Sequence, residues 1–464
     1  MTPARRVVAI LLVVSAVVAG FLAFSGDPEA SGPSPEAAGA TPVWAARRVP
    51  KPFADAVGAQ RLQRAVDAQI GGTGMCFIAQ DGDTLVAATN ADTPLIPASA
   101  QKLLVAAAAL DVLGPDHRYE TKVVAPAAME DGGVDQLVIV GSGDPVIASS
   151  DFVASLENQP RRKGGVVTSL EMLADSIVQS GVRRVRNGVV GDDSRYDQQR
   201  TVNGWSPSYL ADGDVGPLGA LTVNDGYSSF APRRPATDPA LNAAAKLSEL
   251  LTARGVQVGA PSHGIAPQGA VEIAKVASPP MRDIVGSMLT TSDAVTAELL
   301  AKELGVRAAN NGSTTAGTTA IAASLGRLGI PVEGLTITDA SGLHRGNRAT
   351  CRSLLAVLEL GNQPRYDALW NGLSVVGEKG TLIDQLLGLG LDGKLAGKTG
   401  FLSGVSALVG KLDDDTGSRH LQFAFVDNGD YSQSVAEALR RDAVEVLNTF
   451  PDAPPADELV PAPV

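Results

Sequence analysis

Residues 97–115, PASAQKLLVAAAALDVLGP, constrain this chain more than any other stretch. Pro97 and Ser99 signal the start of a helix, and Gly114-Pro115 its end. Between them Ala, Leu and Val occupy every side, leaving no polar stripe for solvent. A helix that is apolar all round is stable only when other elements surround it. The chain must therefore build layers around this segment and hold it at the centre of a domain. One polar pair interrupts the pattern at the first turn, Ser99 and Lys102.

The 464 residues suit two or three domains, and 44% apolar with 19% charged residues is a globular composition. From Gly74 the run GMCFIAQDGDTLVAATNAD places two apolar segments around Asp81-Gly82-Asp83, a hairpin signal. From 116 to 280 short β-like runs (KVVAP, DQLVIVG, GVVGDD) alternate with helical ones (SLEMLADSIVQSG, ALNAAAKLSELLTARG), which reads as an inserted α/β unit. From 281 long helices return, MRDIVGSMLTTSDAVTAELLAKELG and TAGTTAIAASLGRLG. The runs KLAGKTG, VSALVGKL and LQFAFVDN then read as strands turning back on one another, and SVAEALRRDAVEVLNTF as a closing amphipathic helix. Hairpins at both ends with helices between predict an α+β fold, an antiparallel sheet flanked by helices. The expected organisation is one domain from 53–115 and 281–450, with an accessory insertion at 116–280.

The flanks have a different character. Arg5 and Arg6 precede an uncharged apolar run from Val7 to Phe24, so 1–25 reads as an export signal or a membrane anchor. The positive-inside rule keeps the basic end cytoplasmic and sends the rest outside. Residues 26–52, rich in Pro, Ala, Gly and Ser, read as a linker, and 451–464 as a disordered tail. The net charge of −12, with no long basic run after the N-terminus, argues against a nucleic-acid partner. Cys76 and Cys351 suit either one long-range disulfide or two buried thiols. The four histidines form no HExxH or other close pair, so no metal site is expected. Gly397-Lys398-Thr399 ends like a Walker A loop, but Asp392 stands where that loop needs glycine, so no nucleotide cofactor is expected either.

Three short motifs carry chemistry. Ser99 and Lys102, three apart on a helix, share one face. A serine hydroxyl is a weak nucleophile until a base takes its proton, and a lysine can be that base once burial lowers its pKa. Chance alone supplies roughly one SxxK in such a chain, but this one is unique and opens the most apolar helix. The second motif is Lys398-Thr399-Gly400: on a strand Lys398 and Gly400 face one side and Thr399 the other. Gly400 permits a close backbone approach, and Lys398 and the Thr399 hydroxyl can then meet a carboxylate. The third is Ser292-Asp293-Ala294, where Ser292 can relay a proton, or Ser-Asp can simply cap a helix. GSGDPVI (141–147), DASGLHRGNRAT (339–350) and VGEKGTLIDQLLG (376–388) suggest tight turns around a cleft.

Together these motifs resemble the class C low-molecular-weight penicillin-binding proteins, the D-Ala-D-Ala carboxypeptidase and endopeptidase family. SxxK, then S-D-N, then K-T-G is the signature order of penicillin-recognising serine enzymes. Here Ser99 to Lys102, Ser292, and Lys398 to Gly400 follow that order, and the gap of about 190 residues between the first two motifs resembles this class in particular. Gly143-Asp144-Pro145, Asp339 with Ser341-Gly342-Leu343, and Gly380-Thr381-Leu382 resemble its accessory boxes.

The resemblance implies a penicillin-binding transpeptidase-like domain acting on peptidoglycan stem peptides in the cell envelope and acylated by β-lactams. Ser99 is the implied nucleophile, Lys102 its base, and Ser292 the relay to the leaving D-Ala. Lys398 and Thr399 are implied to hold the terminal carboxylate, and the N–H groups of Ser99 and Phe401 to form the oxyanion hole. Two positions depart: Ala294 stands for the family's Asn, and Phe401 for its usual Thr. A β-lactamase and a catalytically weak peptidoglycan- or partner-binding protein are the alternatives, the latter resting on Ala294.

Overall fold

The computed structural model describes residues 51–72, 74–414 and 419–450. The expected export segment, linker and tail lie outside the described residues, apart from the last two residues assigned to the linker. No helix of the described residues is long and apolar enough to cross a membrane.

Six antiparallel strands form the main sheet, in the order Ser374–Val375, Leu395–Leu402, Val405–Asp413, His420–Asn428, Met75–Asp81, Thr84–Thr89. The N-terminal hairpin therefore completes a sheet otherwise made near the C-terminus. Period-two alternation divides the side chains between two cores. Met75, Phe77, Leu408, Phe423 and Phe425 face the helices Lys51–Gln69 and Gln433–Asn448, packing on Leu62, Val66, Val444 and Leu447. Cys76, Ile78, Ala407, Val409, Ala424 and Val426 face the opposite way. The alanines on that face let a helix lie close to the sheet.

That helix is Gln101–Val112, buried at every position from Gln101 to Leu110. The helices Met281–Thr291, Ala294–Ala309, Thr314–Arg327 and Cys351–Glu359 share its core. Burying each of its leucines stabilises the fold by about 2 kcal/mol. Cys76 and Cys351 form a disulfide across 275 residues, with Cα atoms 5.9 Å apart. It ties the sheet to the first turn of the last of those helices. A loop of that length lowers the entropy of the unfolded chain by up to about 5 kcal/mol in the loop-closure account.

Between 120 and 277 the chain builds separate sheets. The largest runs Ser262–His263, Val189–Asp192, Leu137–Val140, Glu120–Ala125, Val271–Ala277, parallel across its first three strands and antiparallel across the rest. The helices Leu170–Gln179 and Pro239–Thr252 pack on it through Leu173, Ile177, Leu247 and Leu251, in a core distinct from the two above.

Two features depart from the expectations. The long helix expected from Met281 is two helices, broken where Ser292 takes a left-handed φ of 59° and Asp293 caps the second by accepting from the Val295 N–H. The capping alternative for Ser292-Asp293 thus holds at Asp293. The helix Lys51–Gln69 was not anticipated, although Leu62, Val66 and Ile70 recur every fourth residue and are buried.

Candidate active site

Four segments converge on a cleft of about 600 Å³ that Ser99, Lys102, Ser292, Ala294, Thr399 and Phe401 all line. The first is the turn before the central helix. Ala98 has φ 46° and is wholly buried. That conformation is costly for a residue with a Cβ and persists only where the surroundings enforce it. It sets Ser99, half-buried, at the cleft.

Lys102 follows one turn later. Its Nζ lies 3.0 Å from the Ser99 Oγ and donates to the Ser341 carbonyl at 2.6 Å. Burial pushes its ammonium down to about 8, against the carboxylates of Asp339, Asp293, Glu298 and Asp214, which favour the charged form. A lysine so placed is neutral in roughly a tenth of molecules at pH 7.

The Ser341 carbonyl belongs to a strap, residues 339–347, held from both ends. Glu298 Oε1 accepts the Ala340 and Ser341 N–H groups at 3.0 and 2.7 Å. Asp339 accepts from the N–H groups of Gly342 and His344, the Asn347 amide and the Trp205 indole, at 2.6–2.9 Å. Gly342, at φ 85°, passes so near the serine turn that a Cβ there would sit 2.0 Å from the Ala98 carbonyl. Burial, then the charge of Asp339, pushes the Glu298 carboxyl up to about 8.

The second and third motifs meet each other. Lys398 Nζ donates to Ser292 Oγ at 2.8 Å and to the Thr399 carbonyl at 2.9 Å. Burial, then the charge of Lys102, holds the Lys398 ammonium well below the ordinary lysine range. Strand alternation puts Thr399 and Phe401 on the side that lines the cleft and Lys398 on the other, where its ammonium reaches the cleft-lining Ser292. Thr399 Oγ1 pairs with Thr381 Oγ1 at 2.8 Å, which pairs with Ser374. A Cβ on Gly400 would lie 2.6 Å from the Pro97 carbonyl, so glycine here lets the strand touch the serine turn.

Of the three glycine-rich stretches, 339–350 and 376–388 reach the cleft through Leu343, Arg345, Thr381 and Gln385; residues 141–147 do not line it. There Asp144 caps its own turn through the Val146 N–H, fully buried, and burial pushes its carboxyl up to about 6. Sequence reasoning missed the cleft residues Arg161, Tyr209, Asp214, Glu437 and Arg440, single polar residues without a motif. The regular spacing of Arg440 on an amphipathic helix was the one available signal.

An antiparallel sheet with a central helix, and a serine, a lysine and a KTG strand on one cleft, defines an α+β protein of the penicillin-binding fold. The structure of penicillin-binding protein 4 from Haemophilus influenzae superposes with a TM-score of 0.66 at 19% identity, covering 84% of this chain and 99% of that one. The chain belongs to the D-Ala-D-Ala carboxypeptidase 3 (S13) family, whose pattern matches residues 63–236 and 228–450. It is 33% identical over 347 residues to a carboxypeptidase of Mycobacterium tuberculosis, covering 73% of this chain and 72% of that one. It is 29% identical over 415 residues to a D-alanyl-D-alanine carboxypeptidase of Actinomadura, covering 72% and 73%. The protein is thus a peptidase by family.

Proposed function

We propose that this protein is a serine DD-carboxypeptidase, with scope for DD-endopeptidase activity, acting on the D-Ala-D-Ala ends of peptidoglycan stem peptides. The observation that carries the reading is the pairing of Ser99 with a buried Lys102 at 3.0 Å, in the cleft where Lys398 holds Ser292. Neutral Lys102 takes the Ser99 proton as Oγ attacks the carbonyl carbon between the two D-alanines. The N–H groups of Ser99 and Phe401 stabilise the oxyanion. The C–N bond then breaks, and the departing amine takes a proton through Ser292, whose hydroxyl Lys398 orients. Thr399 receives the terminal carboxylate. Water attacks the acyl-Ser99 ester, and Lys102 regains and returns the proton. β-Lactams acylate the same oxygen.

The lost Asn at Ala294 favours the weak-binding alternative, but the Ser341 carbonyl at 2.6 Å already supplies Lys102 with a polar partner. The long-range disulfide supports an oxidising, extracytoplasmic compartment, in the cell envelope. Residues 116–280 are read as an accessory insertion in a catalytic unit made of 53–115 and 281–450. The test is incubation with a labelled penicillin and peptide mapping of the adduct. Label on Ser99, absent from a folded Ser99→Ala chain, is expected; undiminished labelling of that variant would remove Ser99 from the mechanism.

A further inference from the structure

Arg440 is a charged side chain with too little to do. It projects from the C-terminal helix Gln433–Asn448 into the cleft wall, and is 3% exposed. Its Nη1 donates to the Gly400 carbonyl at 3.4 Å and its Nη2 to Gln385 Oε1 at 3.2 Å, both long for a guanidinium. Among the described residues no carboxylate lies within ion-pair distance of it, whereas Lys302 and Arg419, the other buried cations outside the Ser99–Lys102 and Ser292–Lys398 pairs, each have an acidic partner. Glu437, one turn away and also lining the cleft, acts on it only at longer range. Burial disfavours its charge, Glu437 and Tyr431 offset part of that, and the positive charge of Arg161 adds to the penalty. A buried, unpaired guanidinium is costly unless an anion completes it.

Its position says which anion. Gly400, whose carbonyl it touches, separates Thr399 from Phe401, and both of these face the cleft. Thr399 offers one hydroxyl, already shared with Thr381. Phe401 offers none, being an apolar ring 39% exposed. One hydroxyl is a poor sole anchor for a carboxylate entering a partly dry cleft. We infer that Arg440 is the principal anchor for the terminal carboxylate of the substrate, taking the place of the hydroxyl that Phe401 lacks. This deepens, and rests on, the acyl-enzyme reading. The same guanidinium makes the protein prefer peptides with a free C-terminal carboxylate over amidated or chain-internal ones.

The test measures binding by calorimetry in full chains carrying Ser99→Ala, so that it is read whether or not chemistry proceeds. The probes are an acyl-D-Ala-D-Ala peptide and its C-terminal amide. The acid is expected to bind about 100-fold more tightly than the amide, the scale of one charge-assisted fork. Adding Arg440→Gln should bring the two within threefold, and Phe401→Thr on top should restore about tenfold of the preference. Arg440→Lys should keep part of it, and that variant decides the matter if Arg440→Gln does not melt as a folded chain. Retention of the full preference by Arg440→Gln, or by a folded Arg440→Lys and Arg440→Gln alike, overturns the inference, as does a parent chain without preference. Failure of the parent reading looks different: no penicillin adduct on Ser99 in the unsubstituted chain, with the acid preference intact.

Discussion

The two walls of the cleft are built in opposite ways. On one, Lys102, Lys398, Glu298 and Asp339 are each 1% exposed or less, and hydrogen bonds close a loop from Glu298 through the Ser341 carbonyl and Lys102 to Ser99. On the other, Arg161 meets Asp384 at 2.8 Å with side chains 44% and 52% exposed. An ion pair so wet contributes at most about 1 kcal/mol. The contrast separates two tasks. Proton transfer needs atoms held within a few tenths of an ångström by their surroundings, while admitting a peptide needs a wall that yields at little cost.

The sharpest way to break this contrast is to cut one support on each wall. Glu298→Ala should lower the rate of Ser99 acylation by about 100-fold at unchanged fold, because the Ala340 and Ser341 N–H groups lose their shared acceptor and the Ser341 carbonyl is no longer held on Lys102. Glu298→Gln keeps an acceptor oxygen and should stay within tenfold, whereas Arg161→Ala should stay within threefold. Stopped-flow acylation by a chromogenic β-lactam reads all three; equal losses from Glu298→Ala and Arg161→Ala would erase the distinction between the walls.

A second measurement sharpens it through protons. In the proposed mechanism Lys102 is neutral when it acts, and burial pushes its ammonium down to about 8, so acylation should rise about tenfold from pH 7 to a plateau above about pH 9. The stability linkage has the same sign: the folded form holds this lysine's proton less tightly than the unfolded chain, so folding gains from it as pH rises from about 8 toward 10.5. A flat acylation profile from pH 6 to 9 would show that Lys102 is not the base.

The smallest effect is expected at Ala294, 5% exposed on the closed wall. With the Ser341 carbonyl already on Lys102, Ala294→Asn should change the acylation rate by less than threefold. A gain of tenfold or more would mean that the strap does not replace the missing amide, and that the site is impaired at its second motif.

These walls also mark how far sequence alone reaches. Ser99, Lys102, Ser292, Lys398, Thr399 and Gly400 are visible as motifs of fixed types at fixed spacing; Ser99, Lys102, Ser292 and Thr399 line one cleft, with Lys398 bonded to Ser292 and Gly400 packed on the serine turn behind it. The antiparallel strands were visible through alternation and turn residues. The helix start at Asp293 was visible as the capping alternative for Ser-Asp, but the left-handed turn at Ser292 was not, because a non-glycine residue enters that backbone only under tertiary pressure. The open wall was invisible for a related reason: Arg161 and Asp214 come from irregular segments and Tyr209 from the single-turn helix Ser208–Ala211, all placed by the packing of distant elements. The stretch at 141–147 misled in the other direction, since a glycine turn around a buried Asp144 looks the same in sequence whether it borders a cleft or a core.

The sheet order has a consequence for how the molecule comes into being. The strand Met75–Asp81 pairs with His420–Asn428, so although the hairpin can pack early on the helix Lys51–Gln69, its inner edge has no strand partner until nearly all of the chain has arrived. Cys76 likewise waits for Cys351. The serine turn, which immediately follows that hairpin, is shaped by Gly342 and Gly400 from the late part of the chain. A nascent or truncated chain therefore carries the proposed nucleophile, Ser99, before the segments that shape its turn have been made.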